Sequence, residues 1–356
     1  MSNVFQPVLG GKNPWHANSN LIWLASTLKI HRNLDKLKFS SKLSLERKQQ
    51  VISLISKELL ESTWLKGGTF GRAEEMTPSQ KEYLAERFLS HESYNQSQIG
   101  EAFVWGDNGE ILAVLNQKDH LSLLFLENQE EPEKAWEKLN CFEANLEKGL
   151  NFAFSPQFGF LTSDPMYCGT ALTVQIFLHL PTLILTDSLK EHLDRHQEEL
   201  ISITGLQGNF EELAGDVVIL YNRYTLGVSE DQILSSLHHL ATTLMIEEKS
   251  SRTQVQQQMH PLNEKFKDQV SRAYAILLHS YQIELLEAMQ AISLMKLGCN
   301  LGWIQNVDQT TLNALFLDVR RAHLLNHFGE DISLDQLPHK RAEFIHRALK
   351  AATLLI

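Results

Sequence analysis

Residues 158–181 read FGFLTSDPMYCGTALTVQIFLHLP, in which a Gly-Thr turn separates two apolar runs. Gly169 and Thr170 form this turn, and branched and aromatic residues resume after it. An apolar run bounded by turn residues is typical of a β-strand, so the pattern predicts a strand over residues 174–180. No Lys or Arg occurs within residues 158–181. The turn therefore lacks the cationic side chains that suit phosphate binding.

Short runs rich in branched or aromatic residues alternate with helical patterns up to about residue 246. The predicted strands are residues 103–105, 111–115, 121–126, 174–180 and 217–221. Between the first two, residues 106–109 read GDNG, and these residue types tolerate the positive φ of a tight hairpin. A hairpin joins antiparallel strands, so the sequence predicts an antiparallel sheet flanked by helices, an α+β fold, rather than a Rossmann crossover.

Residues 247–258, EEKSSRTQVQQQ, are polar and contain no aromatic residue, which is typical of a connector or of the exposed start of a helix. We place a domain boundary there, so that the predicted domains are residues 1–250 and 251–356. After residue 262, apolar residues recur at three- and four-residue steps, as on one face of a helix. These residues are Tyr274, Leu277, Leu278, Tyr281, Leu285, Met289 and Ile292. The second domain is therefore predicted to be all α.

The composition limits the classes of function. A length of 356 residues allows roughly two domains of about 100–200 residues each. The net charge of -11 disfavours nucleic acid or an anionic membrane as a partner. The three cysteines are widely spaced and form neither a disulfide framework nor a zinc motif. The first residues show no leader pattern, and no run approaches the ~18 apolar residues of a membrane span, so we predict a cytoplasmic protein without a metal site.

Residues 161–173, LTSDPMYCGTALT, resemble the signature Leu-Thr-x-Cys-Pro-x-Asn-x-Gly-Thr-Gly-x-Arg of the ATP:guanido phosphotransferases, which include the phosphagen kinases and the bacterial protein-arginine kinases. The turn and its neighbours agree with this signature at Leu161, Thr162, Pro165, Gly169 and Thr170. The chemical positions differ, because the Cys, Asn, third Gly and Arg of the family are here Asp164, Tyr167, Ala171 and Thr173. The resemblance implies a phosphagen-kinase-like catalytic domain with a degenerate active site.

Residues 25–34, ASTLKIHRNL, are similar to the family's Ser-Ser-Arg-Ile-Arg-Leu-Ala-Arg-Asn-Leu. The first Arg is replaced by Thr27 and the second by Lys29, and the third is kept as Arg32. Phosphoryl transfer depends on positioning and on neutralising phosphate charge, for which the planar guanidinium fork is suited. The resemblance implies that Lys29 and Arg32 bind nucleotide, although ordinary surface charge at a strand end is an alternative for both.

Residues 116–122, NQKDHLS, resemble the family's Asn-Glu-Glu-Asp-His-Leu-Arg loop, which supplies a carboxylate for the incoming guanidinium and an Arg for the nucleotide. Lys118 stands at the central acidic position and Ser122 at the Arg position. Because Lys118 is itself a cation, it opposes the docking of a guanidinium. Asp119 is retained as a candidate catalytic residue and His120 as a nucleotide ligand, and the alternative for both is stabilisation of the turn.

Two further segments resemble nucleotide-binding positions of the family. Residues 86–90, ERFLS, place Phe88 where the family has a nucleotide-contacting His, and a core phenylalanine is the alternative interpretation. Residues 203–210, ITGLQGNF, keep the glycines of the family pattern but replace its Arg with Thr204. The lost arginine positions are therefore Thr27, Ser122, Thr173 and Thr204.

Residues 221–230, YNRYTLGVSE, resemble the family's Ser-Asn-x-x-Thr-Leu-Gly-x-Ser-Glu, whose final carboxylate faces the substrate guanidinium. The resemblance makes Glu230 a candidate catalytic residue and leaves Arg223 as a cation that compensates in part for the lost arginines. Glu230 also precedes a predicted helix over residues 231–240, where a carboxylate is favourable on dipole grounds alone.

Residues 337–342, LPHKRA, resemble the Arg-Asp-x-x-Arg-Ala motif with which active relatives recognise phosphoarginine. Arg341 is retained, whereas Pro338 replaces the Asp. The alternative is a plain helix start, because proline is favourable in the first turn of a helix.

The resemblance implies a protein-arginine kinase homologue, and the substitutions favour a degenerate one that acts as a binding or regulatory component of stress-response protein quality control. The alternative is an active kinase that phosphorylates arginine side chains with ATP and magnesium; an inactive homologue needs no cofactor. A metabolic kinase for a small guanidino compound fits less well. The implied partners are client proteins, a zinc-binding activator protein, a Clp-type unfoldase, a stress repressor and a second copy of the chain.

Overall fold

The computed structural model describes residues 20–90, 92–129, 131–196, 198–257, 261–329 and 332–356, so the N-terminal stretch examined for a leader lies outside the described residues. The chain divides into two compact units. Of the described residues, the first unit contains 25–175 and 221–237, and the second contains 20–24, 176–220 and 238–356. The predicted domains, 1–250 and 251–356, are not these units, and that boundary stays a prediction.

A large sheet provides the framework of the fold. Its strands are β1 (Trp23–Arg32), β2 (Thr69–Arg72), β3 (Ala102–Trp105), β4 (Ile111–Leu115), β5 (Leu121–Glu127), β8 (Leu172–His179), β9 (Ile201–Gly205) and β10 (Val217–Asn222). The strand order across the sheet is β2-β3-β4-β5-β1-β8-β10-β9. Each of the pairs β2-β3, β3-β4, β4-β5 and β5-β1 is antiparallel. All five predicted strands are present, and the predicted antiparallel α+β fold is confirmed.

The GDNG segment forms the predicted hairpin between β3 and β4. The backbone N–H of Gly106 donates to the carbonyl of Ile111 at 3.1 Å, and Gly109 adopts a φ of 71°. The register pairs Trp105 with Leu112. Glycine has no Cβ and adopts positive φ without steric cost, which explains its position at the end of this turn.

Three helices of the first unit accompany the sheet: α1 (Leu45–Glu61), α2 (Pro78–Arg87) and α3 (Pro132–Leu146). The side chain of Ser44 caps α1, and Thr77 and Gln80 form a reciprocal capping box at the start of α2. The buried face of α1 contains Val51, Ile52, Ile55 and Leu59. A short hairpin, β6 (Phe154–Ser155) and β7 (Gly159–Phe160), precedes the signature turn.

The second unit is largely helical outside its strands. Its helices are α4 (Pro181–Leu185), α5 (Leu189–Arg195), the later part of α6 (Glu230–Gln256), α7 (Asn263–His279), α8 (Leu285–Asn300), α9 (Gln309–Asp318), α10 (Arg321–Phe328) and α11 (Leu337–Ala348). A two-stranded sheet pairs β11 (Ile304–Gln305) with β12 (Thr353–Leu354). Across the described ranges, no helix is long and apolar enough to span a membrane.

The polar segment 247–258 differs from the predicted connector, because α6 continues through it to residue 256. Glu248 and Arg252 lie one turn apart and form a buried ion pair, with Nε of Arg252 2.6 Å from the Glu248 carboxylate. The same carboxylate accepts hydrogen bonds from the backbone N–H groups of Thr182 and Leu183. Polar residues of this segment thus form an ion pair and hydrogen bonds inside the fold. The local sequence pattern does not reveal these tertiary contacts.

Candidate functional site

Two lysines share one carboxylate in the first unit. The Nζ of Lys29, on β1, donates to one carboxylate oxygen of Glu92, and the Nζ of Lys118, in the turn between β4 and β5, lies 3.0 Å from the other. The side chains of Lys29 and Glu92 are 13% and 23% exposed, so this pair is largely shielded from water. We call these three residues the Lys29–Glu92–Lys118 cluster.

The electrostatics of the cluster favour the charged forms of Glu92 and Lys118. Burial acts to raise the pKa of Glu92, but the ammonium groups of Lys29 and Lys118 outweigh it and lower that pKa from 4.5 to about 2. Burial acts to lower the pKa of Lys118, but the negative charge of Glu92 raises it overall. At neutral pH Glu92 is therefore an anion, and its two carboxylate oxygens bind Lys29 and Lys118.

Asp119 ties the β4–β5 turn to two other segments. The carboxylate is buried and accepts hydrogen bonds at 2.6 Å from the side-chain amide of Asn33 and from the backbone N–H of Ser163. Ser163 belongs to the signature stretch, and Asn33 follows β1. Asp119 thus holds the β4–β5 turn against the segments that contain Asn33 and Ser163. These contacts agree with its alternative interpretation as a residue that stabilises the turn.

His31 lies next to Asp119 but was not predicted as a site residue. Its Nδ1 lies 3.0 Å from Oγ of Ser122 and 3.5 Å from a carboxylate oxygen of Asp119. Burial, reinforced by the charge of Lys29, lowers the pKa of His31 from 6.5 to about 3. The imidazole is therefore neutral at pH 7. His31 lies within the family-like segment 25–34 and Glu92 follows the family-like segment 86–90, and neither residue has a motif of its own.

His120 is enclosed by backbone groups. Its Nδ1 accepts a hydrogen bond from the backbone N–H of Leu34 at 2.9 Å, and its Nε2 lies 2.9 Å from the carbonyl oxygen of Lys38. This pair of contacts defines the neutral tautomer with the proton on Nε2. Burial lowers the pKa of His120, which also favours the neutral form. Both ring nitrogens are used within the chain.

Arg32 is buried, and its guanidinium is bound on several sides. Nε and Nη2 donate to the two carboxylate oxygens of Glu143 on α3, and Nη1 donates to the carbonyls of His31 and Thr170. The guanidinium carbon lies 3.5 Å from the ring centroid of Phe160 on β7. Arg32 thus holds α3 and the signature turn together by a bidentate pair and a cation–π contact.

Glu230 lines an open cavity of about 330 Å³ together with Phe158, Gly169 and Thr170. The reciprocal cap of α6 is made by Ser229 and Gln232, so the helix does not depend on the Glu230 carboxylate for capping. Within the described ranges, Glu230 forms no hydrogen bond or ion pair. Arg223 lies beyond the end of β10 and is exposed. The cavity therefore presents one carboxylate beside the signature turn.

The substituted positions occupy diverse environments. Thr27 Oγ1 donates to the Gln175 side chain at 3.4 Å, and Thr173 Oγ1 donates to the Lys29 carbonyl at 3.3 Å. Phe88 is 1% exposed, which confirms its interpretation as a core residue. Thr204 lies on β9 in the second unit, and its buried Oγ1 has no hydrogen-bond partner among the described residues.

Arg341, the retained residue of the phosphoarginine motif, is buried in the second unit. Its Nε donates to the Val319 carbonyl and its Nη1 to the Ile283 carbonyl, both at 2.8 Å. Pro338 lies in the first turn of α11, as the alternative interpretation predicts. These contacts join α11 to two loops, and recognition of phosphoarginine by Arg341 stays a prediction.

The backbone of the signature turn requires glycine. Gly169 has a φ of 105°, and a Cβ at this position would lie 2.3 Å from the Thr225 carbonyl oxygen. A Cβ on Gly159 would lie 2.5 Å from the Gly169 carbonyl oxygen. Three backbone segments therefore approach one another too closely for any side chain, which fixes the wall of the cavity.

Comparison with known proteins agrees with this architecture. Residues 50–251 match the model of the ATP:guanido phosphotransferase C-terminal catalytic domain, and residues 263–354 match that of the protein-arginine kinase McsB C-terminal domain. Similar proteins include the protein-arginine kinase of Chlamydia muridarum, 36% identical over 84% of this chain and 83% of that protein. The protein-arginine kinase of Chlamydia pneumoniae is 33% identical over 93% of each chain.

The chain therefore belongs to the ATP:guanido phosphotransferase family and, within it, to the protein-arginine kinases. Solved structures show the same fold at lower identity. A lombricine kinase aligns with a TM-score of 0.55 at 18% identity, covering 64% of this chain and 66% of that one. A duplicated taurocyamine kinase from Schistosoma mansoni, with transition-state analogue components bound, aligns with a TM-score of 0.57 at 19% identity, covering 76% and 40%.

The family implies ATP and magnesium, and the side chains predicted to bind nucleotide can be tested for their fit to a triphosphate. Such an anion is bound by charged donors that are free to reach it. Lys29 and Arg32 are each bound to a carboxylate of this chain, and His120 is neutral with both ring nitrogens in use. In this structure these three residues do not fit a triphosphate.

Proposed function

We propose that this chain is a degenerate protein-arginine kinase homologue that has lost most phosphoryl transfer and acts by binding other proteins. The observation that carries the proposal is the Lys29–Glu92–Lys118 cluster, in which two site cations are committed to an internal carboxylate. A cation replaces the family's acidic residue at position 118, and Glu92 compensates its charge. Each of the two lysines thus has an anionic partner within the chain itself.

The lost arginines support the same conclusion. Phosphoryl transfer relies on neutralising charge on the phosphate oxygens, and the family's arginines are here Thr27, Ser122, Thr173 and Thr204. Each hydrogen-bonded contact to a charged group contributes about 1.5–3 kcal/mol. The loss of several such contacts weakens transition-state binding by many orders of magnitude unless other residues replace them.

The binding role that we propose lies in stress-response protein quality control in the cytoplasm. The support is membership of the protein-arginine kinase family together with the matched C-terminal domain. By resemblance, the partners are client proteins, a zinc-binding activator protein, a Clp-type unfoldase and a stress repressor. A chain with a net charge of -11 is suited to basic rather than acidic partner surfaces.

Two measurements on the full chain test the proposal. Isothermal titration calorimetry with ATP and magnesium measures nucleotide binding, and transfer of radiolabel from ATP to an arginine-rich protein measures activity, with the cognate activator present. The Geobacillus stearothermophilus protein-arginine kinase, 28% identical over 94% of this chain, is a matched reference. We expect neither binding nor transfer for this chain under conditions in which the reference is assayed in parallel.

The alternative is an active kinase that phosphorylates arginine side chains. It is favoured by the position of Glu230, whose unpaired carboxylate lines the cavity beside the signature turn. Acid-labile phosphate on arginine would establish this alternative, and Glu230→Gln should then abolish transfer while the fold is kept. Binding of ATP without transfer would instead identify a nucleotide-sensing scaffold.

A further inference from the structure

The carboxylate of Glu92 is bound by cations from two separate parts of the large sheet. One oxygen accepts from the ammonium group of Lys29 on β1, and the other lies 3.0 Å from that of Lys118 in the β4–β5 turn. A phosphate group binds two cations in the same way, through two of its oxygens. Glu92 therefore makes the contacts that an anionic ligand would make with these two lysines.

The Lys29–Glu92–Lys118 cluster is open to solvent on the side of Lys118. The Lys118 side chain is 56% exposed, whereas those of Lys29 and Glu92 are 13% and 23% exposed. A ligand from solvent can thus reach Lys118 and the carboxylate while the strands stay in place. The lysines lower the pKa of Glu92 to about 2, so an external anion competes with an internal one that stays charged at neutral pH.

Glu92 lies on the segment that follows α2, whereas its partners lie on the sheet. Leu89, just after the helix, has a φ of 49°, a left-handed conformation that is unfavourable for a residue with a branched side chain. The backbone N–H of Glu92 then donates to Oγ of Ser90 at 3.1 Å. The chain thus turns back sharply after α2 and brings this carboxylate to the two lysines. Loss of the ion pairs would free both lysines without any change in the pairing of the strands.

The second cation of the cluster arises from a substitution. By resemblance, Lys118 stands at the family's central acidic position, and Lys29 stands at one of its arginine positions. Without Glu92, the two ammonium groups would be a pair of neighbouring, partly buried cations, which is costly unless an anion binds them. The lysines therefore form an anion site that the chain itself fills.

We propose that Glu92 is an autoinhibitory residue, which closes an anion site formed by Lys29 and Lys118 against ligands that carry a diphosphate group. A tethered carboxylate acts at a high effective concentration, so a competitor needs more negative charge than one carboxylate has. A diphosphate has that charge and can bind both ammonium groups. The inference rests on the proposed function and deepens it, because it names the residue that keeps phosphate from the degenerate site.

Isothermal titration calorimetry of the full chain with inorganic pyrophosphate, in the absence of magnesium, tests the proposal. We expect Glu92→Gln to bind pyrophosphate about 10-fold or more tightly than the wild type, because both lysines lose their internal anion. The matched control is Glu131→Gln, which removes the same charge and releases Lys134 from its carboxylate at an exposed site. This control has a single lysine and should bind no more tightly than the wild type.

A second substitution tests whether the two lysines form the site. Glu92→Gln/Lys118→Gln should lose the gain in affinity, because one of the two cations is removed. Urea unfolding shows whether each variant is folded, and it gives a second measurement for a variant too unstable for calorimetry. Pyrophosphate should raise the urea midpoint of Glu92→Gln and leave that of the wild type nearly unchanged, because a ligand stabilises the state that binds it.

ADP contains the same diphosphate group and distinguishes its two sources. Equal affinity of Glu92→Gln for ADP and pyrophosphate would identify the diphosphate alone as the recognised group, and tighter binding of ADP would add a contact to the nucleoside. Glu92→Gln that binds pyrophosphate no more tightly than the wild type, or a gain that persists in the double variant or occurs in Glu131→Gln, would overturn the proposal. Radiolabel transfer by the wild type tests the proposed function separately, because the pyrophosphate titration measures no transfer.

Discussion

The Nζ of Lys118 lies 3.0 Å from a carboxylate oxygen of Glu92, at a position where the family resemblance places an acidic residue. A carboxylate is therefore still present next to this position, but it is that of Glu92, from a different segment of the chain. Glu92 binds the chain's own lysines, Lys29 and Lys118, rather than a guanidinium substrate.

Glu92→Gln should destabilise the protein. It leaves Lys29 and Lys118 as neighbouring cations without their shared anion, and we expect a loss of roughly 2–3 kcal/mol in the free energy of unfolding at pH 7. The pKa of Glu92 is lower in the folded chain, so the unfolded chain binds more protons between pH 4.5 and 2. The contribution of Glu92 to the free energy of unfolding is thus complete above about pH 4.5 and is lost as pH falls towards 2.

Urea unfolding at pH 7 and pH 3 measures this difference. Glu191→Gln is the control, because Glu191 forms an exposed pair with Arg195 one turn away, and exposed pairs contribute about 1 kcal/mol or less. Equal stability of the Glu92 variant and the wild type at both pH values would contradict the proposed role of the cluster.

Arg32→Ala should be among the most destabilising substitutions in the first unit. It leaves the Glu143 carboxylate buried without its cation, for which we expect a loss of about 3–5 kcal/mol. Arg32→Lys keeps the positive charge but not the bidentate geometry of the guanidinium. Its loss in the free energy of unfolding should therefore be smaller than that of Arg32→Ala. Thermal or urea unfolding measures both, with exposed Arg195→Ala as the control. A variant that lost nucleotide affinity at unchanged stability would instead favour Arg32 as a nucleotide ligand.

His31→Asn should reduce the acid sensitivity of the fold. The pKa of His31 is about 3 in the folded chain and 6.5 as a free side chain, so the unfolded chain binds more protons between those values. The contribution of neutral His31 to the free energy of unfolding is present above about pH 6.5 and is lost as pH falls below it. Between pH 7.5 and 5.0 the wild type should lose about 2 kcal/mol more than the variant. His196→Asn, at an exposed position, should leave the wild-type pH profile unchanged.

Asp216→Asn should change the pH profile in the opposite direction. Asp216 is buried in the second unit and accepts hydrogen bonds from Gln290 and Ser293. Burial raises the pKa of Asp216 from 3.8 to about 6, so the folded chain binds more protons between those values. As pH rises from 4 to 7 the wild type should lose about 2 kcal/mol relative to the variant. Unfolding at several pH values, with exposed Asp107→Asn as the control, measures this.

Gly169→Ala and Gly227→Ala form a matched pair. Both glycines have positive φ, 105° and 79°, but only at Gly169 would a Cβ meet backbone, at 2.3 Å from the Thr225 oxygen. Gly227→Ala should cost about 1–2 kcal/mol for the left-handed backbone alone, and Gly169→Ala at least about 3 kcal/mol. Similar losses in urea unfolding for the two variants would show that the signature turn is not held as tightly as the structure indicates.

Local patterns predicted the strands and the hairpin correctly. Residues 103–105 and 111–115 are apolar runs separated by GDNG, and the signals for pairing and turning lie within a few residues of each other. The prediction of a connector at residues 247–258 differs from the observed helix because polar residues of this segment have tertiary partners. Glu248 binds backbone N–H groups at residues 182 and 183, more than sixty positions earlier.

The sequence by itself determined the family, the sheet and the replacement of the arginine positions, because each of these depends on residue identity or on short-range periodicity. Only the tertiary structure decided what the remaining charges do. Lys29 and Glu92 are 63 positions apart, and Arg32 and Glu143 are 111 apart. Such pairs are set by how strands and helices pack around the signature turn, and burial then selects the partner that neutralises each charge.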